Sequence, residues 1–250
     1  MKKLKYKMLG NTGKKVIMIP GWGFTHEIWL ELAQSISKYH TVLLCDLPGM
    51  GMNKNIGCDN INELLEIFQN SFPSNCSWLG WSFGGMLGLL FADKYKNNVD
   101  SIIMINTTLK WVATNTWPGM LPIHWHNFKH LYSTQPYKCL SWFARQQNPS
   151  EKREHIENIK THLYASHDGN GEILSSYLNM VGDIDLREVK CKLKITCIYG
   201  RVDKILPSLI DQKSLDKISK NNKVIILNDA GHAPFLSHQD TICSIVQRAI

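Results

Sequence analysis

The sequence predicts an α/β protein: a mostly parallel sheet with helices on both faces and a helical insertion that forms a lid. Two observations lead to this fold class. Short apolar runs alternate with longer amphipathic stretches, which is the pattern of repeated strand–helix–strand units. Residues 108–186 interrupt this alternation, and the pattern resumes after them. A helical insertion carried by one continuous α/β core is the simplest organisation that fits both observations.

Six apolar runs have the length and composition of buried strands. They are Val16–Pro20, Thr41–Cys45, Cys76–Leu79, Ser101–Ile105, Lys194–Tyr199 and Val224–Leu227. The stretches between and after them have helical character, at residues 27–38, 60–70, 85–96, 207–219 and 239–249. Because the early and late runs are about equally apolar, we expect all of these strands to belong to one sheet.

The interrupting segment contains no clear strand. Prolines near its start are followed by helix-like stretches at residues 136–147, 150–165 and 171–181. The predicted organisation is therefore a first core part, a helical lid and a second core part, at residues 1–107, 108–186 and 187–250.

Composition and charge are those of a globular protein, with 44% hydrophobic residues and a formal net charge of +7. The basic balance favours anionic partners, although scattered surface lysines produce the same sum. The lysines at the N-terminus are not followed by an apolar stretch long enough for a signal peptide or a membrane span. The seven cysteines form no CxxC pair and no zinc spacing. We expect a cytoplasmic monomer with no disulfide, metal or cofactor that binds neither nucleic acid nor membrane.

The strongest local motif is the G-x-S-x-G pattern at residues 80–84, between a predicted strand and a predicted helix. A nucleophilic serine in such a turn adopts a strained backbone conformation and needs small neighbours two positions away. Gly80 and Gly84 meet this requirement, and Gly85 lets the following helix pack closely. A glycine-rich turn with an incidental serine has the same letters, but the position of this one predicts that Ser82 is a nucleophile.

A serine nucleophile needs a histidine base and a carboxylate. In α/β-hydrolases, whose nucleophile has this strand–turn–helix setting, the acid follows the serine in sequence and the histidine comes last. Asp203 follows the predicted strand 194–199, and His232 follows the predicted strand 224–227 among small residues. We expect both at the carboxyl ends of strands, the edge where open α/β sheets place their sites.

Both assignments have rivals in the sequence. The rival histidines lie in the insertion or just before the last helix, namely His124, His126, His130 and His238. The rival carboxylates precede the late strand instead of following it, namely Asp183 and Asp185. We therefore prefer a catalytic triad of Ser82, Asp203 and His232.

An oxyanion hole needs two backbone N–H groups directed at the developing negative charge. One is expected from Phe83, the residue after the nucleophile. The other is expected from the loop at residues 20–24, where Trp22 stands between two glycines. An ordinary strand-to-helix turn has the same composition, but this loop comes where the second donor is required.

Several motifs of the chain resemble the family of pimeloyl-acyl-carrier-protein methyl ester esterases, and the resemblance covers most of the sequence. The motifs are Gly21-Trp22-Gly23, Glu27-x-Trp29, Asp46-Leu47-Pro48-Gly49-x-Gly51, Leu79-Gly80-Trp81-Ser82, Trp117-Pro118-Gly119, Asp185-Leu186-Arg187 and His232-Ala233-Pro234-Phe235. The Asp-x-Pro-Gly-x-Gly element is common to many α/β-hydrolases. The Leu-Gly-Trp-Ser, Trp-Pro-Gly and His-Ala-Pro-Phe elements together are far narrower.

The resemblance implies the triad and oxyanion donors named above, with no cofactor. It also implies a substrate pocket that includes Trp22, Trp81, Ser82, Phe128 and Phe143. For the aromatic residues, the alternative interpretation is core packing beneath the lid.

The resemblance further implies a basic surface that binds an acidic acyl carrier protein. In the insertion the match is weaker, since Lys138 corresponds to one expected arginine and Trp142 stands where another is expected. Nearby cations could supply the missing charge, namely Arg145, Lys152, Arg153 and Lys160, and we choose Lys138, Arg145 and Arg153 as the docking residues. A basic helix face is also a common solvated surface.

The implied activity is hydrolysis of the methyl ester of a pimeloyl group on acyl carrier protein, in biotin synthesis. Alternatives on the same scaffold are a generic short-chain carboxylesterase and a carbon–carbon bond hydrolase, because function lies in the pocket and lid. An alternative of another class is a non-catalytic binding protein that retains the fold.

Overall fold

The structure is a computed structural model that describes residues 1–96, 98–147, 153–206 and 209–250. Its strands are β1 (Tyr6–Leu9), β2 (Lys15–Ile19), β3 (Thr41–Cys45), β4 (Cys76–Trp81), β5 (Val99–Ile105), β6 (Lys194–Gly200) and β7 (Asn222–Leu227). Within the described residues these strands form one sheet in the order β1-β3-β2-β4-β5-β6-β7. Only the β1–β3 pair is antiparallel there, so the predicted mostly parallel α/β sheet is confirmed.

The central strands are buried along almost their whole length, which explains why their sequences are continuous apolar runs. Every residue of β3 and β4 is buried, as expected for a parallel sheet with helices on both faces. Strand β1 was not predicted. Its sequence, YKML, is short and largely exposed at the sheet edge, where a lysine hinders pairing with another chain.

The core also contains helices in the stretches that were predicted to be helical. The core helices are α1 (Leu30–Ile36), α2 (Ile61–Ser71), α3 (Phe83–Lys94), α7 (Gln212–Ile218), α8 (Pro234–Ser237) and α9 (Gln239–Ala249), with 3-10 turns at His26–Trp29 and Gly51–Asn53. Helix α7 is shorter than the predicted 207–219, and residues 207 and 208 lie outside the described part. The short helix α8 was not predicted.

Between β5 and β6 the chain forms three helices, which we call the lid helices after the prediction: α4 (Pro122–Thr134), α5 (Pro136–Gln147) and α6 (Arg153–Asp183). Helix α4 was not predicted, since no helix was expected before residue 136, among the prolines that open the insertion. Pro122 instead occupies the first turn, where its missing N–H costs no hydrogen bond. The two predicted helices at the end of the lid are joined in α6, with a kink at Asn170. None of the described helices is both long enough and apolar enough to cross a membrane.

The insertion leaves and re-enters the core at adjacent positions. Lys110 and Asp185 form an isolated antiparallel bridge, and the Leu186 N–H donates to the Leu109 carbonyl at 2.8 Å. Asp185 also accepts two hydrogen bonds from the Arg187 guanidinium and lies 3.2 Å from Lys110 Nζ. These contacts join the two ends of the lid.

Candidate active site

Ser82 lies at the turn between β4 and α3, with φ 54° and ψ −115°. A positive φ is strained for a residue with a side chain, so the surroundings must hold it in place. A Cβ on Gly80 would lie 2.3 Å from the Gly84 carbonyl oxygen, and one on Gly84 would lie 2.3 Å from the Ile19 carbonyl oxygen. Both positions therefore require glycine, as the motif predicts.

Asp203 and His232 form a buried pair at the carboxyl ends of β6 and β7. Asp203 Oδ2 lies 2.7 Å from His232 Nδ1, and neither side chain is more than 3% exposed. Asp203 Oδ1 accepts from the backbone N–H groups of Ile205 and Leu206, at 2.7 and 2.9 Å. These bonds fix the carboxylate, which orients the imidazole with Nδ1 toward the acid and leaves Nε2 for a second partner.

The structure also connects the histidine loop with the nucleophile turn. Trp81, directly before Ser82, donates its indole N–H to the His232 carbonyl at 2.7 Å, and the two rings lie 5.5 Å apart. The predicted triad residues thus belong to elements that meet at one edge of the sheet. This arrangement can support attack by a serine hydroxyl on an acyl carbon, with the histidine as base.

The loop at residues 20–24 lies against the serine. A Cβ on Gly21 would be 3.4 Å from Ser82 Cβ, and Gly23 has a φ of +83° that favours glycine. Trp22 between them is buried. Phe83 is the first residue of α3, where a backbone N–H has no acceptor within the helix. Both predicted oxyanion donors therefore belong to segments beside Ser82.

The predicted pocket residues separate into two groups. Trp81 has no exposed surface and packs against Phe24 and Phe235, with ring centroids 4.8 and 5.0 Å away. These contacts are those of a core residue that supports the histidine loop. They agree with the alternative interpretation of Trp81, which was core packing beneath the lid.

Phe128 and Phe143 instead surround the Trp22 indole. Their rings meet it edge-on at 5.8 and 5.4 Å. Phe128 also lines a cavity of about 380 Å³ in the lid, whose other lining residues are Met120, His124, Asn127, Leu131 and Trp142. An apolar cavity that reaches an aromatic residue next to Trp22 suits the hydrocarbon part of a substrate.

Gln147, at the end of α5, was not singled out from the sequence. Its carbonyl accepts the His232 N–H at 2.5 Å, so the lid contacts the backbone of the candidate base. Its side chain is fully buried, and neither amide atom has a hydrogen-bond partner among the described residues. A glutamine at a helix end carries no motif, so only the tertiary structure could identify this position.

The predicted docking residues are exposed on the lid. Lys138 and Arg145 are two helical turns apart on α5 and so share a face, and Arg153 begins α6. The pKa of Glu157 is lowered by its hydrogen bond to Lys160, and Arg153 and Arg145 contribute to the shift. Arg145 and Arg153 therefore both lie in the neighbourhood of Glu157. We call Lys138, Arg145 and Arg153 the basic lid face.

Two other cations considered for this face, Lys160 and Lys152, are not part of it. Lys160 is paired with Glu157, with Nζ 2.8 Å from Oε2, which offsets its charge. Lys152 lies outside the described residues.

Fold and sequence together define the class of protein as a hydrolase. Residues 14–155, more than half of the chain, match the family model described as the alpha/beta hydrolase fold. The chain therefore belongs to the alpha/beta hydrolase family.

Two curated relatives are named pimeloyl-acyl-carrier-protein methyl ester esterase. The protein from Pseudoalteromonas atlantica is 29% identical over 99% of this chain and 98% of its own length. The protein from Aliivibrio fischeri is 27% identical over 93% and 91%, respectively. These relatives match the family resemblance found in the motifs.

Solved structures show the same fold at low sequence identity. A hydrolase from Oleispira antarctica has a TM-score of 0.86 at 13% identity, covering 97% of this chain and 93% of that one. The esterase from Exiguobacterium antarcticum has a TM-score of 0.81 at 17% identity, covering 98% and 95%.

Proposed function

We propose that this protein is a serine esterase that hydrolyses the methyl ester of a pimeloyl group carried on acyl carrier protein. The observation that carries the chemistry is the buried Asp203–His232 pair beside the strained Ser82 turn. The choice of ester is supported by the curated relatives of that name, which align along almost the whole chain.

In the proposed reaction, His232 Nε2 accepts the proton of Ser82 as the serine oxygen attacks the ester carbonyl. The backbone N–H groups of Trp22 and Phe83 stabilise the oxyanion, and Asp203 stabilises the imidazolium. The imidazolium then protonates the departing methanol, leaving an acyl-enzyme. A water molecule that His232 deprotonates attacks this acyl-enzyme and releases the carboxylate and Ser82.

Features of the lid support this choice of substrate. The aromatic groups around Trp22 suit the methylene chain of the pimeloyl group. The basic lid face carries charge complementary to an acidic carrier protein. Arg145 and Arg153 belong to different helices but both act on the pKa of Glu157, which supports a shared docking surface.

The catalytic proposal is tested with purified protein and its Ser82→Ala variant. We expect hydrolysis of p-nitrophenyl acetate and labelling by a fluorophosphonate, both abolished by the substitution. Retention of most of the activity in Ser82→Ala would contradict the proposed nucleophile. Restoration of biotin-independent growth in a strain lacking this esterase would support the proposed substrate. Failure to restore growth by a protein with normal p-nitrophenyl esterase activity would favour a generic carboxylesterase.

The docking proposal is tested by reversing the charge of Lys138, Arg145 and Arg153 with glutamate. We expect KM for the carrier-bound ester to rise at least about tenfold at low ionic strength, with p-nitrophenyl acetate hydrolysis unchanged. A matched control reverses three exposed lysines outside the lid, Lys7, Lys38 and Lys213. Equal effects of the two triple variants would reject a specific carrier surface.

A further inference from the structure

We infer that Asn106 is a positioning residue that holds the backbone elements of Ser82, Asp203 and His232 in register. Asn106 directly follows β5 and is fully buried. Its φ is +43°, in the left-handed region that non-glycine residues occupy rarely and asparagine more readily than most. The inference rests on the proposed function, because it assumes that these three residues perform the chemistry.

The side chain of Asn106 bonds to the two loops that carry the acid and the base. Its Oδ1 accepts the Gly200 N–H at 2.9 Å, three residues before Asp203. Its Nδ2 donates to the carbonyl oxygens of Gly231 and His232, each at 2.8 Å. One buried amide therefore joins the end of β6 to the histidine loop, with both of its polar atoms paired.

The residues on either side of Asn106 bond to the nucleophile. The Ile105 carbonyl accepts the Ser82 N–H at 2.8 Å, and the Thr107 hydroxyl donates to the Ser82 carbonyl at 3.2 Å. The N–H and the carbonyl of Ser82 are thus bonded to Ile105 and Thr107, the two neighbours of Asn106. Asn106 itself bonds to the loops that carry Asp203 and His232. Residues 105–107 connect all three parts of the candidate triad.

Hydrogen bonds fix the backbone of His232 on both sides of its Cα, at the N–H and at the carbonyl. Its N–H donates to the Gln147 carbonyl, and its carbonyl accepts from Asn106 Nδ2 and from the Trp81 indole. Asp203 fixes only the orientation of the imidazole ring. Catalysis depends on placing the base to within a fraction of an ångström, and a shift of about 1 Å can cost about 100-fold in rate.

Asn106→Gly separates this role from a purely conformational one. Glycine adopts a positive φ without strain, so it retains the turn and removes only the amide. Asn106→Asp is the second variant, because it keeps an acceptor for Gly200 but presents an oxygen to two carbonyl oxygens. Asn75→Gly is the matched control, since Asn75 has a φ of 60° in an exposed turn away from the site.

We expect kcat for p-nitrophenyl acetate to fall about 10- to 100-fold in both Asn106 variants, with KM within about twofold of the unsubstituted protein. The downfield NMR resonance of the His232 Nδ1 proton should shift or broaden in the same variants. Asn75→Gly should match the unsubstituted protein in both measurements. Activity is compared per folded molecule, with folding checked by circular dichroism.

A folded Asn106→Gly protein with unchanged kcat and an unchanged proton resonance would overturn the inference. Failure of both Asn106 variants to fold would also overturn it, because Asn106 would then serve stability alone. If Ser82→Ala kept its activity, the proposed function itself would fail. Loss of activity in Ser82→Ala together with an unaffected Asn106→Gly would reject only the role of Asn106.

Discussion

The indole N–H of Trp22 donates a 2.8 Å hydrogen bond to the backbone carbonyl of Leu174, which lies on lid helix α6. The same ring contacts Phe128 and Tyr132 of α4 and Phe143 of α5, all edge-on. All three lid helices therefore hold the side chain whose backbone N–H is a proposed oxyanion donor. Displacement of the lid would change the position of that donor.

Trp22→Phe tests this link between lid and oxyanion loop. The variant keeps an aromatic ring and the backbone N–H but loses the bond to Leu174, worth about 1 kcal/mol. We expect kcat for p-nitrophenyl acetate to fall about five- to tenfold. The control is Trp29→Phe, since the indole N–H of Trp29 is buried without a partner among the described residues. Similar kcat values in the two variants would contradict the link.

Gln147→Met should improve stability. The buried amide lacks partners among the described residues, and an unsatisfied polar group costs about 1–3 kcal/mol. Methionine has similar length and no such cost, so we expect thermal denaturation at an equal or higher temperature. Gln34→Met, at an exposed position, should leave the denaturation temperature unchanged. A lower denaturation temperature for Gln147→Met would contradict the prediction.

The Asp185 contacts at the base of the lid predict a pH-dependent contribution to stability. Hydrogen bonds from Arg187 hold the pKa of Asp185 well below its usual range, and Lys110 adds to this effect. A carboxylate with a lowered folded-state pKa stabilises the protein above its unfolded pKa of about 3.9, and this stabilisation decreases as pH falls below that value.

Asp185→Asn should therefore lower Tm at neutral pH, and its difference from the unsubstituted protein should shrink below about pH 4. Thermal unfolding followed from pH 3 to pH 8 measures this difference. Asp183→Asn is the control, because Asp183 is exposed on the same segment. A Tm difference for Asp185→Asn that stayed constant down to pH 3 would count against the charge interaction.

Gly80→Ala should disrupt the nucleophile turn. The added methyl would lie 2.3 Å from the Gly84 carbonyl oxygen and 2.5 Å from the Gly85 nitrogen, so backbone would have to move. We expect a lower Tm and a loss in kcat of about 100-fold or more. Gly169→Ala is the control, because its Cβ would meet nothing within 4 Å. That helical substitution should leave kcat unchanged and increase stability by about 0.5–1 kcal/mol.

The sequence predicted those elements whose residue pattern follows directly from their own burial. The buried strands were found because residues such as those of β3 are apolar at every position, which parallel packing requires. Prediction failed where the surrounding structure, and not the local residue pattern, decides the secondary structure. The edge strand β1 resembles a charged tail, and no helix was predicted at α4, although Pro122 stands in its first turn.

By itself the sequence determined the α/β class, the strained serine turn and the order of candidate acid and base, because strand periodicity and glycine spacing are local properties. Only the tertiary structure revealed the contacts of Asn106 and Gln147 with the histidine loop and the contacts of Trp22 with all three lid helices. Those contacts join residues far apart in the chain. They depend on how the sheet edge and the lid pack together, which no short stretch of sequence records.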